Sequence, residues 1–139
     1  APPSAATAVL EGRVLVVDDD QINRLVATRL LGKMGLQVDV VGSGAEALER
    51  LAQAPFDAVL MDCQMPDMDG YETTRALRQR ETEGRVRVVA MTASAMEEDR
   101  RRCYEAGMDA FISKPVRRES LVEVFLSLGM VPVGDAPRS

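Results

Sequence analysis

The chain has 139 residues, enough for one ordinary domain and too few for two; 46% are hydrophobic and 28% charged, a globular mixture that excludes wholesale disorder. The formal charge is −5 (17 Lys+Arg against 22 Asp+Glu), so no basic excess is available to neutralise phosphates, and autonomous nucleic-acid binding is not expected. Histidine is absent, which excludes Ser-His-Asp and Cys-His catalysis, a His-ligated metal and a phosphohistidine carried by this chain.

Residues 1–12, rich in Pro, Ala, Ser and Thr, read as a linker with neither a basic start nor a signal-peptide core. Val14–Val17 is a continuous apolar run, as expected of a strand buried on both faces. Asp20 can cap a first helix in which Ile22, Leu25, Val26 and Leu30 recur on one side, ending near Gly35. Val38–Val41 reads as a second strand, and Ser43 with Glu46 as a capping box whose helix turns Ala47, Leu48 and Leu51 inward. Pro55 stops that helix and Ala58–Met61 supplies a third strand. Asp69 with Glu72 marks a third helix, and Val86–Met91 a fourth strand. Ser94 with Glu97 repeats the capping box, and Gly107 is placed to end the fourth helix in a left-handed turn. Ala110–Ile112 is a short fifth strand. The last helix carries Leu121, Phe125 and Leu128 and stops at Gly129, leaving 130–139 as a tail. Both ends resemble connections, so the folded unit, residues 13–129, is expected to be a module of a longer polypeptide.

Five strand–helix units in series require crossover connections, hence an α/β fold with a parallel sheet covered on both faces. No apolar run approaches the ~20 residues of a membrane span. The two cysteines, Cys63 and Cys103, suffice for neither a disulfide framework nor a zinc cluster. A reducing, cytoplasmic setting is expected, with no membrane contact by this domain.

In such sheets ligands bind beyond the carboxyl ends of the strands. The residues just past each apolar run are Asp18, Asp19 and Asp20 after the first, Asp62 after the third, Thr92 after the fourth, and Ser113 and Lys114 after the fifth. Carboxylates brought together repel one another, and one lysine does not compensate them. A hard divalent cation restores the balance, and Mg2+ suits a site of few carboxylates plus waters, commonly with phosphate as a further ligand. The pattern points to phosphoryl transfer.

The segments VLVVDDDQINR, MDCQMPDMDGYE, AMTAS and FISKP, in this order and each at a strand end, resemble the receiver domain of two-component response regulators. The resemblance runs from about Arg13 to Leu128 and is closest to receivers attached to hybrid sensor histidine kinases. It implies a flavodoxin-like sheet in the order 2-1-3-4-5. It also implies that Asp62 is the phosphoacceptor, attacking the phosphorus of a phosphohistidine to form an acyl phosphate. Asp19 and Asp62 would ligate Mg2+ with the backbone carbonyl of Gln64, and Asp18 would act mainly through a bound water. Lys114 would pair with Asp62 and then with the phosphoryl oxygens. Thr92 and Phe111 would form the switch that remodels the face made by the fourth helix, fifth strand and fifth helix. The family's geometry implies a cis Lys114-Pro115 bond. Implied partners are a histidine kinase or histidine phosphotransfer domain, and a downstream effector or kinase domains in the same chain; dimerisation through the last two helices is compatible with the pattern.

Other readings stay open at this level. Asp18 and Asp20 have the spacing of a haloacid-dehalogenase-type phosphatase, and a degenerate receiver would only bind partners. A flavodoxin-like cofactor binder is disfavoured because its first loop would be acidic. Asp67 and Asp69 read as turn and cap residues, Cys63 as packing, and Arg100–Arg102 as the wet face of the fourth helix.

Overall fold

The computed structural model describes residues 12–65, 69–81, 86–93 and 97–128. The expected linker before Gly12, the tail, the stop at Gly129, the Pro66–Met68 turn with Asp67, and the Ser94 cap lie outside the described residues. Ten elements alternate along the chain: β1 (Arg13–Val17), α1 (Gln21–Lys33), β2 (Gln37–Val41), α2 (Gly44–Gln53), β3 (Ala58–Asp62), α3 (Gly70–Arg80), β4 (Arg87–Thr92), α4 (Glu97–Ala106), β5 (Ala110–Ser113) and α5 (Arg118–Ser127). The strands form one parallel sheet in the order β2-β1-β3-β4-β5, matching the expected fold. None of the helices among the described residues is long and apolar enough to cross a membrane.

The sheet separates two cores, because successive strand residues point to opposite faces. On one face Val14, Val16, Leu60, Val89, Met91 and Ile112 pack under Ala27 and Leu31 of α1 and Leu121, Val122 and Phe125 of α5. On the other, Leu15, Val17, Val59, Met61, Val88 and Ala90 pack under α2, α3 and α4 through Ala47, Leu48, Tyr71, Leu77, Cys103 and Ala106. Coverage on both sides explains why the central strands are apolar without alternation.

Local signals set the helix ends. Asp20 and Asp69 cap α1 and α3 through their side chains, accepting from the Ile22 amide at 2.8 Å and the Glu72 amide at 2.9 Å. Ser43 accepts from the Glu46 amide at 3.2 Å while its hydroxyl donates to the Glu46 carboxylate at 3.0 Å. Gly107 follows α4 with φ 105°, as expected of a left-handed stop.

The apolar residues that recur along one side of α1 do not form its buried face. Ile22, Leu25 and Val26 are 68, 50 and 44% exposed, and the buried face of α1 is Ala27 and Leu31, continued by Met34. The helix carries two apolar stripes, one built on residues 22, 25 and 26 and the other on 27, 31 and 34, with Leu30 between them. Both have helical spacing, so periodicity alone could not choose. A further small difference is that Val86 precedes β4 rather than opening it.

Candidate phosphoryl-transfer site

Strand ends place the acids. The apolar run of β1 carries Asp18 to the sheet's carboxyl edge, where its amide donates to the Val41 carbonyl at 3.2 Å. Asp62 is the last residue of β3, and the turn beyond it is anchored by the Cys63 amide on the Met91 carbonyl at 3.1 Å. Carboxylate oxygens of Asp18, Asp19 and Asp62 all lie within 4.8 Å of one another. Asp18 and Asp62 are buried and Asp19 is exposed.

Lys114 follows β5 and reaches back into this cluster. Its ammonium lies 3.1 Å from Asp62 Oδ1 and 3.5 Å from Asp18 Oδ2. Its amide donates to the Thr92 carbonyl at 2.8 Å, tying the ends of β4 and β5 together. The Lys114-Pro115 peptide is cis, as expected. Asp62 Oδ1 also accepts from the Gln64 amide at 3.1 Å, which leaves the Gln64 side chain uninvolved in that contact.

The electrostatics are lopsided. Burial raises the Asp62 carboxyl above its ordinary value and the charge of Asp18 adds to this, outweighing the Gln64 amide and Lys114. Burial alone would lower the Lys114 ammonium, but its hydrogen bond to Asp62 and the charges of Asp62 and Asp18 raise it. Asp18 Oδ1 is engaged by the Asp20 amide at 2.9 Å, whereas the buried Asp18 Oδ2 accepts no hydrogen bond. Three clustered carboxylates, one with an orphaned buried oxygen, form an all-oxygen donor set. That set fits Mg2+ rather than a softer ion.

Thr92 is buried at the end of β4. It shares strand parity with Ala90, whose neighbour on β5 is Phe111, so both expected switch residues project from the same sheet face. Phe111 is half-buried there, edge-on to Tyr104 with ring centroids 6.5 Å apart and beneath the Arg100 guanidinium at 5.4 Å. At the carboxyl end of β4 opens a cleft of about 460 Å³ lined by Cys63, Gln64, Tyr71, Thr92 and Arg102, among others. Arg102 lies over the Tyr71 ring at 4.3 Å. The arginine run is therefore exposed, as read from sequence, with two of its members covering aromatic faces.

Several residues escaped the sequence reading. Gly70 opens α3 against the end of β3: an added Cβ would lie 2.3 Å from the Asp62 carbonyl oxygen. Its cue was a glycine in a first helical turn, where it contributes nothing to helix stability. Arg24 donates to the Asp18 carbonyl at 2.7 Å, a contact that needs the tertiary turn to be seen. The buried thiol of Cys103 meets that of Cys63; this hydrogen bond brings Cys103 down to about 7 and pushes Cys63 up. Cys63 remains a core residue, consistent with its reading as packing. Asp20 and Asp69 serve as helix caps, and Asp20 is not among the three clustered acids. The spaced pair required by the dehalogenase-type reading is therefore absent from the cluster.

Residues 14–126 match the family model described as the response regulator receiver domain. The chain belongs to that family. It is 44% identical over 126 residues to hybrid signal transduction histidine kinase L of Dictyostelium discoideum, covering 86% of this chain and 7% of that protein. Among solved structures it is similar to the receiver domain of sensor histidine kinase PA1611 from Pseudomonas aeruginosa, which has a magnesium ion coordinated in its active-site cleft (TM-score 0.76, 36% identity, covering 86% of this chain and 97% of that one). It is also similar to the receiver domain of the Saccharomyces cerevisiae response regulator Ssk1 in co-crystals with the histidine phosphotransfer protein Ypd1 (TM-score 0.80, 25% identity, covering 87% and 90%). The receiver thus spans a small fraction of the hybrid kinase it matches.

Proposed function

We propose that this receiver takes a phosphoryl group from a phosphohistidine of a histidine kinase or histidine phosphotransfer domain and carries it on Asp62. The observation that carries this reading is the cluster itself, in which three carboxylates share one ammonium at the carboxyl edge of the sheet. In the reaction Asp62 Oδ attacks phosphorus in line, the P–N bond to the donor imidazole breaks, and the imidazole leaves with the electron pair. Lys114, already 3.1 Å from Asp62, follows the charge onto the phosphoryl oxygens. Asp19, Asp62 and the Gln64 carbonyl would hold Mg2+, with Asp18 acting through water, and the ion would supply charge neutralisation at those oxygens. Little covalent work falls to the protein beyond alignment, so slow hydrolysis returns the free carboxylate. The domain is a phosphoacceptor rather than a turnover enzyme.

In this reading the Thr92 hydroxyl donates to the phosphoryl group, and its movement makes room for Phe111. This biases the packing of α4, β5 and α5 toward a second arrangement read by an effector or by kinase domains of the same chain. The donor imidazole must reach bonding distance of Asp62, so its protein covers the rim of the site. Ile22, Leu25 and Val26 stand exposed on α1, which begins directly after Asp20, and form the apolar part of that docking surface. Incubation with Mg2+ and acetyl phosphate, read by intact mass, tests the reading. One added phosphoryl mass is expected on the native chain and none on Asp62→Asn; an unmodified native chain overturns it.

A further inference from the structure

We propose that Arg24 is a positioning residue that holds the Asp18–Asp19 turn in its metal-ready shape; this rests on the Mg2+ reading above. Arg24 lies one turn into α1, its own amide on the Asp20 carbonyl at 3.0 Å. From there its guanidinium Nη1 crosses back to the Asp18 carbonyl oxygen at 2.7 Å. Asp18 is thereby fixed at three atoms. Its amide is held by Val41, its carbonyl by Arg24, and its Oδ1 by the Asp20 amide at 2.9 Å. Only Oδ2, the atom within reach of Lys114, is left without a hydrogen bond.

A second contact shows how closely the strap is seated. A Cβ built on Gly42 would lie 3.2 Å from Arg24 Nη1 and 3.8 Å from Glu46 Oε2. The guanidinium therefore rests against the backbone of the turn between β2 and α2, and glycine leaves the space for it. Arg24 thus joins the turn that carries Asp18 and Asp19 to the turn that follows Val41. Its positive charge is directed at a backbone carbonyl, and no described carboxylate forms an ion pair with it.

The sign of the effect separates positioning from simple charge. A cation beside an acid cluster repels Mg2+, so deleting that charge alone tightens metal binding. Loss of an outer-shell hydrogen bond that orients a ligand weakens it, by about 10–100-fold in known metal sites. The test is calorimetric titration of Mg2+ into the native chain, Arg24→Ala and Arg24→Lys, with circular dichroism as the check on folding. About tenfold weaker binding is expected for Arg24→Ala, with Arg24→Lys between it and the native chain, because an ammonium can still reach the carbonyl. Equal or tighter binding by a folded Arg24→Ala overturns the proposal. If Arg24→Ala does not fold, Arg24→Lys decides by the same comparison. Absence of Mg2+ binding by the native chain instead removes the reading of the site itself.

Discussion

Two clusters of charge sit at opposite ends of the same sheet. Around the amino ends of β4 and β5, Arg78 donates to the Gly107 carbonyl at 2.9 Å, the Val86 carbonyl at 2.8 Å, the Glu81 carboxylate at 3.0 Å and Asp109 Oδ2 at 2.9 Å. Asp109 also accepts from the Val88 amide at 2.8 Å. There a planar, multidentate cation is matched to its acceptors, and α3, β4 and the turn before β5 are pinned together. At the carboxyl ends of β1, β3 and β5, by contrast, three carboxylates share one lysine, and an oxygen of Asp18 is buried without a hydrogen bond. The first arrangement is complete in itself and stabilises the fold. The second is incomplete without a cation, and that incompleteness gives it capacity for chemistry.

The largest way to break the contrast is at the structural end. Arg78→Met takes the guanidinium away from two largely buried acids, Glu81 and Asp109, and two carbonyls and is expected to cost about 3–5 kcal/mol in denaturant unfolding. Phosphorylation of the fraction that remains folded should be unchanged. Lys114→Ala should act chiefly on the chemistry: acetyl-phosphate labelling slows by about 10²-fold, a loss of one charge-stabilising donor, while the loss of its ion pair with Asp62 costs less stability than Arg78→Met. If Lys114→Ala proves as destabilising as Arg78→Met, the division of labour between the two ends is wrong.

A smaller effect sharpens the comparison with a third group. Asp39 on the edge strand β2 pairs with Arg13 at 2.8 Å and with Arg50. Burial raises its carboxyl, but the Arg50 and Arg13 hydrogen bonds and charges outweigh this and hold it below the ordinary 3.8. A carboxyl lowered on folding contributes stability above its unfolded value and loses it as pH falls through the folded one. Asp39→Asn should therefore cost about 1 kcal/mol at neutral pH, and the gap to the native chain should close below about pH 4. The smallest stability effect belongs to Leu25→Ser, expected within about 0.5 kcal/mol of native because the side chain is half exposed. Phosphotransfer from a phosphohistidine protein should nevertheless slow, while labelling by acetyl phosphate does not.

The contrast also explains what was legible in the sequence. Strands β1, β3 and β4 announce themselves as apolar runs because both faces are covered, and the residues that follow them then fall on one edge by topology. Asp18, Asp19, Asp62 and Lys114 were readable for this reason. Helix α1 was readable as a helix but not in its orientation, since two apolar stripes compete and only the sheet decides between them. Arg24, Gly70 and Arg78 act through backbone carbonyls far along the chain or across a turn. Such contacts leave no periodicity, and although Arg24 and Gly70 stand inside the quoted segments, what they touch became visible only in three dimensions.

The acid cluster is expected to be unfavourable until a divalent cation balances it. Thermal unfolding of the native chain and Asp62→Asn, each with and without Mg2+, tests it most directly. Without metal Asp62→Asn should melt higher than the native chain, and Mg2+ should raise the native midpoint more than that of the variant. A variant that melts lower without metal, together with a native midpoint indifferent to Mg2+, would contradict it.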